Sequence, residues 1–260
     1  TYDKAGHLTS ATPPAALQAS LPVEAYTYDP SGNRTSSTHQ PGAWAYNPEH
    51  QLLQWGNAAN QVSLRYNPNG HLQTQTVGGQ TRTHSYDAAD RLVEVKDNLG
   101  NSAQYSYDPQ GRRIRKTTPA KTTWYLYSPQ GLIAELSDTG KVEKAYGWEP
   151  DQAWGTAPLW QATTSNGQIN NAATADYHYL HTDHLGTVQM ATDGNGNISW
   201  RGQAQAFGKT ELDQNNRITM NLRLPGQYYD QETGTHYNWM RDYNGSTGRY
   251  IKRAHIGLEA

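Results

Sequence analysis

The template Tyr-Asp/Asn-Pro-x-Gly constrains this chain more than anything else in it. It reads Tyr28-Asp29-Pro30-Ser31-Gly32, Tyr66-Asn67-Pro68-Asn69-Gly70 and Tyr107-Asp108-Pro109-Gln110-Gly111, with an aromatic or leucine two residues before each tyrosine. Looser copies surround Tyr46, Tyr86 and Tyr127, and Tyr2 to Leu8 is another. The spacings from Tyr28 through Tyr127 are 18, 20, 20, 21 and 20 residues. Such a period fits two strands and two turns and is too short for the common two-helix repeats. Each copy contains its own turn chemistry. The Asp or Asn side chain caps the turn, Pro presets φ, and Gly supplies the positive φ that closes it. Stretches such as Leu92-Val93-Glu94-Val95 and Trp124-Tyr125-Leu126-Tyr127 alternate with the two-residue period of a strand. No window sustains a 3.6-residue apolar period. The expectation is an all-β protein, an extended sheet of consecutive β-hairpins joined edge to edge.

Composition fits a thin sheet better than a thick core. Hydrophobic residues make up 35% of the 260, with 18 Tyr and 8 Trp against a single Phe. Rings with a polar handle suit half-wet faces. The net charge is −2 and no long basic run occurs, so nucleic-acid binding through a broad positive patch is not supported. With no cysteine there are no disulfides and no thiolate metal site. No stretch reaches the roughly 18 apolar residues of a membrane span. The chain opens in mid-pattern without a signal peptide. It is expected to be a piece of something longer, or a processed product.

Three regions are expected: hairpin repeats at 1–155, a polar loop or insertion at 156–176, and a C-terminal block at 177–260. In that block His178, His181 and His184 lie three apart, which on a helix would align them as metal ligands. On a strand, i and i+3 face opposite ways, so no shared metal is expected. Asp183 and Asp193 read as turn formers, and no cofactor is implied.

The repeat resembles the YD repeat of Rhs proteins, of the C component of insecticidal Tc toxins and of teneurins. The C-terminal block resembles the bacterial Rhs-associated core. It runs His181-Thr182-Asp183-His184-Leu185-Gly186-Thr187, Trp200 with Phe207-Gly208, Pro225-Gly226-Gln227-Tyr228-Tyr229-Asp230, and Arg241-Asp242-Tyr243-Asn244-Gly245 through Gly248-Arg249-Tyr250, in the family's order. The fold implied is a strip of hairpins curling as a spiral or partial hollow shell. Toxin-bearing members of the family resemble aspartic autoproteases, with a DPxGL segment just after GRY. Here that segment reads Ala254-His255-Ile256-Gly257-Leu258, preceded by Arg253, and the family's RDYDP has Asn244 and Gly245 in place of its last two residues. A two-carboxylate site loses its acid or its base when one carboxylate is removed. Alanine at 254 therefore implies that the cutting activity is absent and that no catalytic residue remains. Whether these substitutions are a natural specialisation or were introduced stays open.

The leading functional reading is a structural shell fragment of an Rhs-type toxin or effector, enclosing or presenting a C-terminal toxin. It would be made in the cytoplasm and delivered by a secretion system. Its expected partners are the toxin, further shell segments, and a secretion-system spike or chaperone. One strip is expected to be too short to close a large cavity, so upstream residues or another chain would complete the wall. A second reading is a carbohydrate-binding module, with Trp148, Trp154 and Trp160 stacking on glycans. A third is a residual autoprotease.

Overall fold

The computed structural model describes residues 1–19, 21–58, 60–164, 167–168 and 174–253. Among them the helical content is one three-residue 3-10 turn, Ala15–Leu17. A small N-terminal sheet contains β1 (Ser10–Ala11), β2 (Glu24–Tyr28) and β3 (Arg34–Ser37). A sixteen-stranded antiparallel strip follows, its strands in chain order. It begins with β4 (Ala45–Tyr46), β5 (Leu52–Trp55), β6 (Val62–Tyr66), β7 (Leu72–Val77), β8 (Gln80–Tyr86) and β9 (Leu92–Asp97). It continues with β10 (Ser102–Tyr107), β11 (Arg113–Thr117), β12 (Thr122–Ser128), β13 (Gly131–Ser137) and β14 (Val142–Trp148). It ends with β15 (Pro158–Thr164), β16 (Ala175–Thr182), β17 (Val188–Thr192), β18 (Ile198–Ala204) and β19 (Thr210–Leu212). The C-terminal sheet, called the cap below, consists of β20 (Tyr228–Asp230), β21 (Thr235–Asn238), β22 (Arg241–Asn244) and β23 (Arg249–Tyr250).

The repeat template accounts for the strip residue by residue. The turn Asp or Asn accepts N–H groups two and four residues ahead, as Asp29 does from Ser31 and Asn33 at 2.9 Å. At each template tyrosine the ladder slips by one residue, for example between Arg65 and Tyr66 and between Ser85 and Tyr86. The tyrosine hydroxyl then donates to a carbonyl at the start of a preceding strand: Tyr66 to Leu52, Tyr86 to Leu72, Tyr107 to Leu92 and Tyr127 to Arg113, at 2.6–2.9 Å. Trp148 takes this role with its indole N–H, donating to the Leu132 carbonyl at 2.8 Å. The recurring geometry therefore stitches each hairpin to its predecessor.

The expected loop at 156–176 needs correction. Residues 158–164 form β15, paired with β14 on one side and β16 on the other. Gly147 makes this possible: a Cβ there would lie 2.1 Å from Trp160 Nε1, so its absence lets the Trp160 indole lie flat on the sheet. Positions 165, 166 and 169–173 of that segment lie outside the described residues. The strip also extends to Leu212, well into the expected C-terminal block.

The strip curls. Laid flat, sixteen strands would span roughly 70 Å. Yet Arg34, just before the strip, places its guanidinium 4.5 Å from the Phe207 ring, between β18 and β19. Glu24 accepts the Ala206 N–H at 2.9 Å. The ends thus meet through side chains, and no strand pair closes the sheet among the described residues. The accessible surface is 14102 Å², against about 11,000 Å² for a compact chain of this mass. The excess fits a curled wall that stays open.

Candidate functional site

Strand alternation sends one face of the strip inward. Leu72, Leu92, Val95, Ala103 and Tyr105 pack against Ile251. Tyr125, Tyr146, Val188, Ala191 and Trp200 pack against Met220, Leu222, Tyr228 and Tyr237. The C-terminal segment therefore fills the concave side and covers aromatic faces that would otherwise be wet.

The cap then reaches the rim formed by the Tyr-Asp-Pro-x-Gly turns and touches them in succession. Arg249 donates to the His50 carbonyl at 2.6 Å, Lys252 to the Asp90 carbonyl at 2.6 Å, and Trp239 to the Gln110 carbonyl at 3.0 Å. Gly226 N–H donates to the Gly155 carbonyl at 2.8 Å. Arg34 donates to the Ser246 carbonyl at 3.1 Å. Some turn glycines also make room for the cap. A Cβ on Gly155, whose φ is +72°, would lie 2.8 Å from the Gly226 Cα.

A buried charge cluster fastens the cap at its centre. Asp230 is paired with Arg113, one of whose bonds is 3.0 Å, and with Lys116 at 2.8 Å. Glu232 joins Lys116 at 3.3 Å and accepts from the Tyr105 hydroxyl at 3.0 Å. Asp230 and Arg113 are both almost fully buried. Burial alone would raise the Asp230 carboxyl, but the two cations overcome it and hold it below the usual range. Asp242 is the contrast. It is equally buried, and burial pushes it up to about 7 against the pull of Arg113 and Lys252. Burial likewise pushes His236 down to about 4, where its neutral ring sits 2.7 Å from Gln227 Oε1.

The rim opposite the template turns is less covered. There a groove of about 750 Å³ lies between strands β8–β14 on one side and residues 219–221 with the β20 end of the cap on the other, lined by Arg82, Lys116, Lys121, Lys144, Glu135 and Glu232 among others. Its floor carries buried Glu135, which accepts from the Tyr146 hydroxyl at 2.5 Å.

The residues singled out in the sequence are scattered by the fold. Asn244 caps the β22–β23 turn, accepting from Ser246 at 3.0 Å. The Arg253 side chain lies over the Gly70 turn, its Cδ 2.7 Å from where a Cβ would stand. Ala254, His255, Gly257 and Leu258 lie outside the described residues. Trp148 and Trp154 line one small cavity of about 30 Å³ with Arg113, Tyr125 and Tyr237. Trp154 packs between Tyr127 at 6.2 Å and Trp239 at 4.8 Å. Trp160 is elsewhere, on the outer face against Tyr177 at 5.2 Å. The three indoles do not form one platform. His178 is buried and faces inward beside Gln161, whereas His181 pairs with Met190 on the outer face. Asp183 and Asp193 both cap turns, accepting from Leu185 and Asn195 respectively.

Sequence reasoning missed Arg34, Arg113, Asp230 and Phe207. A signal existed for the arginines. Six residues after the template tyrosine, the copies carry Leu8, Leu52, Leu72 and Leu92. The copy at Tyr127 has Ile133 there, and Arg34 and Arg113 occupy that apolar position in the remaining two; both reach the cap.

Comparison with known proteins agrees with this architecture. Residues 178–213 match the family described as RHS protein, and residues 86–123 match the RHS Repeat. The chain is 32% identical to the double-stranded DNA deaminase toxin A of Burkholderia cenocepacia, over 99% of this chain and 19% of the relative. It is 26% identical to the toxin protein Tse5 of Pseudomonas aeruginosa, over 99% of this chain and 23% of that one. The chain thus spans about a fifth of the length of these relatives. A solved Photorhabdus luminescens Tc holotoxin pore shares the fold, with a TM-score of 0.50 at 15% identity, covering 99% of this chain and 18% of that one. The repeat geometry, the ordered C-terminal block and these matches make the chain a member of the Rhs/YD-repeat family.

Proposed function

We propose that this chain is wall material of an Rhs-type effector shell, enclosing or presenting a toxin joined to its C-terminal side, and that it does not cut itself. The observation that carries the reading is the curled strip, with its ends in contact and its cap laid along the rim of template turns. The concave side of this stretch is filled by the chain's own C-terminal segment, so a toxin would be held within a larger shell to which this strip contributes one section of wall. The toxin names of the relatives point the same way. The absence of cutting rests on Ala254, which can neither take nor give a proton where the resemblance calls for a carboxylate. Secretion-system delivery follows from the same reading.

The test is to extend the chain at its C-terminus with a protease-sensitive reporter domain. The extended chain is expected to stay in one piece, with no new amino terminus on prolonged incubation. With the upstream shell segments restored, the reporter is expected to resist an added protease that digests it when free. A spontaneous cut would overturn the inactive reading, and a reporter digested at the free rate in that extended chain would overturn enclosure. No helix among the described residues is long and apolar enough to cross a membrane.

A further inference from the structure

The wall has one junction unlike the others. From β4 to β19 every neighbouring pair of strands is joined by a hydrogen-bonded ladder. The N-terminal sheet and the strip's first strand lack such a ladder, but the chain itself ties them together, and the Tyr46 hydroxyl donates to the Arg34 carbonyl at 2.7 Å. Among the described residues, neither ladder nor covalent link joins the N-terminal sheet to the β18–β19 turn. Three contacts are found there among the described residues. Glu24 accepts the Ala206 N–H at 2.9 Å. The Tyr26 ring meets Phe207 edge-on at 5.0 Å. The Arg34 guanidinium stacks on Phe207 at 4.5 Å and on Trp44 at the same distance.

The cap grips both lips of this junction with one turn. Its Ser246 carbonyl accepts from Arg34, and Tyr243 donates to the Phe207 carbonyl at 2.8 Å. Gly245 and Gly248 sit so close that Cβ atoms would come within 2.8 Å of Lys209 N and 2.7 Å of Phe207 Cδ1. Arg34 is buried, makes no ion pair among the described residues, and has its Nε without a partner. A buried guanidinium held by ring faces and one carbonyl depends on all of those surfaces staying in place.

We propose that the junction between Glu24–Arg34 and Ala206–Phe207 is a lateral seam, bolted by the cap turn 244–248, at which the wall opens before any hairpin ladder breaks. Opening it breaks the Glu24–Ala206 hydrogen bond, the cap's hydrogen bond to one lip and the ring contacts of Arg34 and Phe207, whereas parting a long strand pair such as β12 and β13 breaks a ladder of six paired residues at once. The seam stands whether or not the wall holds a guest.

The chain has no cysteine, so a crosslinking test starts from a clean background. Exposed Ala25 and Ala206 flank the seam, and A25C/A206C is joined with a short bis-maleimide, which adds one thiol at each end. The reference is S85C/E94C, cross-strand partners inside the strip. Adding Arg34→Ala should slow seam crosslinking about tenfold, as expected for losing a desolvated cation–π contact, and leave the reference pair unchanged. Tyr243→Phe, which removes one hydroxyl of the bolt, should give a smaller slowing of the same pair and serves if Arg34→Ala does not fold. Equal rates with and without these changes would overturn the seam. Parallel loss at both pairs would overturn it too, because the wall would then open as a whole.

Discussion

Removing one hydroxyl from a template tyrosine leaves a carbonyl beside the ladder slip without its donor. Tyr66→Phe and Tyr86→Phe are each expected to lower unfolding stability by about 1 kcal/mol in urea melts. Tyr179→Phe, half exposed on the outer face, should change it by less than about 0.5 kcal/mol. The charge cluster behaves differently. Asp230→Ala strands Arg113 in a buried site and leaves Lys116 with Glu232 alone, and a loss of roughly 3–5 kcal/mol is expected by the same measurement. Adding Arg113→Met should recover part of that loss, because it removes the stranded cation. These two classes of residue also differ in legibility. The tyrosines announce themselves by period, because their partner lies one strand away and recurs. Asp230 and Arg113 are 117 residues apart and occur once, so no local pattern joins them. What the sequence does contain is the anomaly, an arginine where other copies place leucine. An apolar position that accepts a guanidinium implies an unseen partner.

Glycines separate the hairpin as a local object from the hairpin as a docking surface. Gly100 has φ +90° and nothing within 4 Å of a built Cβ, so Gly100→Ala should cost about 1 kcal/mol from backbone conformation alone. Gly155 has φ +72° and faces the Gly226 backbone. Gly155→Ala is therefore expected to cost roughly 1–3 kcal/mol more, since neither backbone can yield as a side chain would. Thermal melts of the two variants check the difference. Strand positions were legible because the turn template fixes both ends of each hairpin. Residues 158–164 read as loop because the polar run from Thr163 onward outweighs the short apolar stretch Leu159-Trp160, which shows no clean two-residue alternation. The support for β15 is Gly147 opposite it, a cross-strand complement visible only once the pairing is known. The cap was read as a family block, but its contacts with turns spread from Arg34 to Gly155 were not foreseeable from any one of them.

Because the strip's ends meet and the cap spans them, groups in the cap titrate against the stability of the whole wall, and two kinds pull in opposite directions. Asp242 is pushed up to about 7 when folded, against about 3.9 in an unfolded chain. Its folded form holds the proton that the unfolded form has released, so stability falls as pH rises through 7. Integrated from pH 6 to pH 8, one such group costs about 1.4 kcal/mol. Arg113 and Lys252 favour its ionised form and Asp230 opposes it, while Tyr86, Tyr105, Tyr107 and Tyr237 surround it without a charge near neutrality. His84 on the strip and His236 in the cap are pushed down to about 4, against about 6.5 unfolded. Their unfolded forms take up protons first, so each lowers stability as pH falls from 6.5 toward 4. In that acid window two histidines oppose one aspartate, and the net slope is a loss. Between pH 6 and pH 8 the two histidines gain about 1.6 kcal/mol while the aspartate loses about 1.4, so stability should climb from pH 5 and level off above about pH 6.5. Asp242→Asn removes the opposing carboxylate, so the variant should climb more steeply from pH 5 and go on gaining about 1.6 kcal/mol between pH 6 and pH 8, where the parent is level. Urea unfolding from pH 5 to pH 8.5 checks the difference. A parent that climbs as much as the variant would mean that Asp242 is ionised throughout and that the buried side of the cap is wetter than its packing implies.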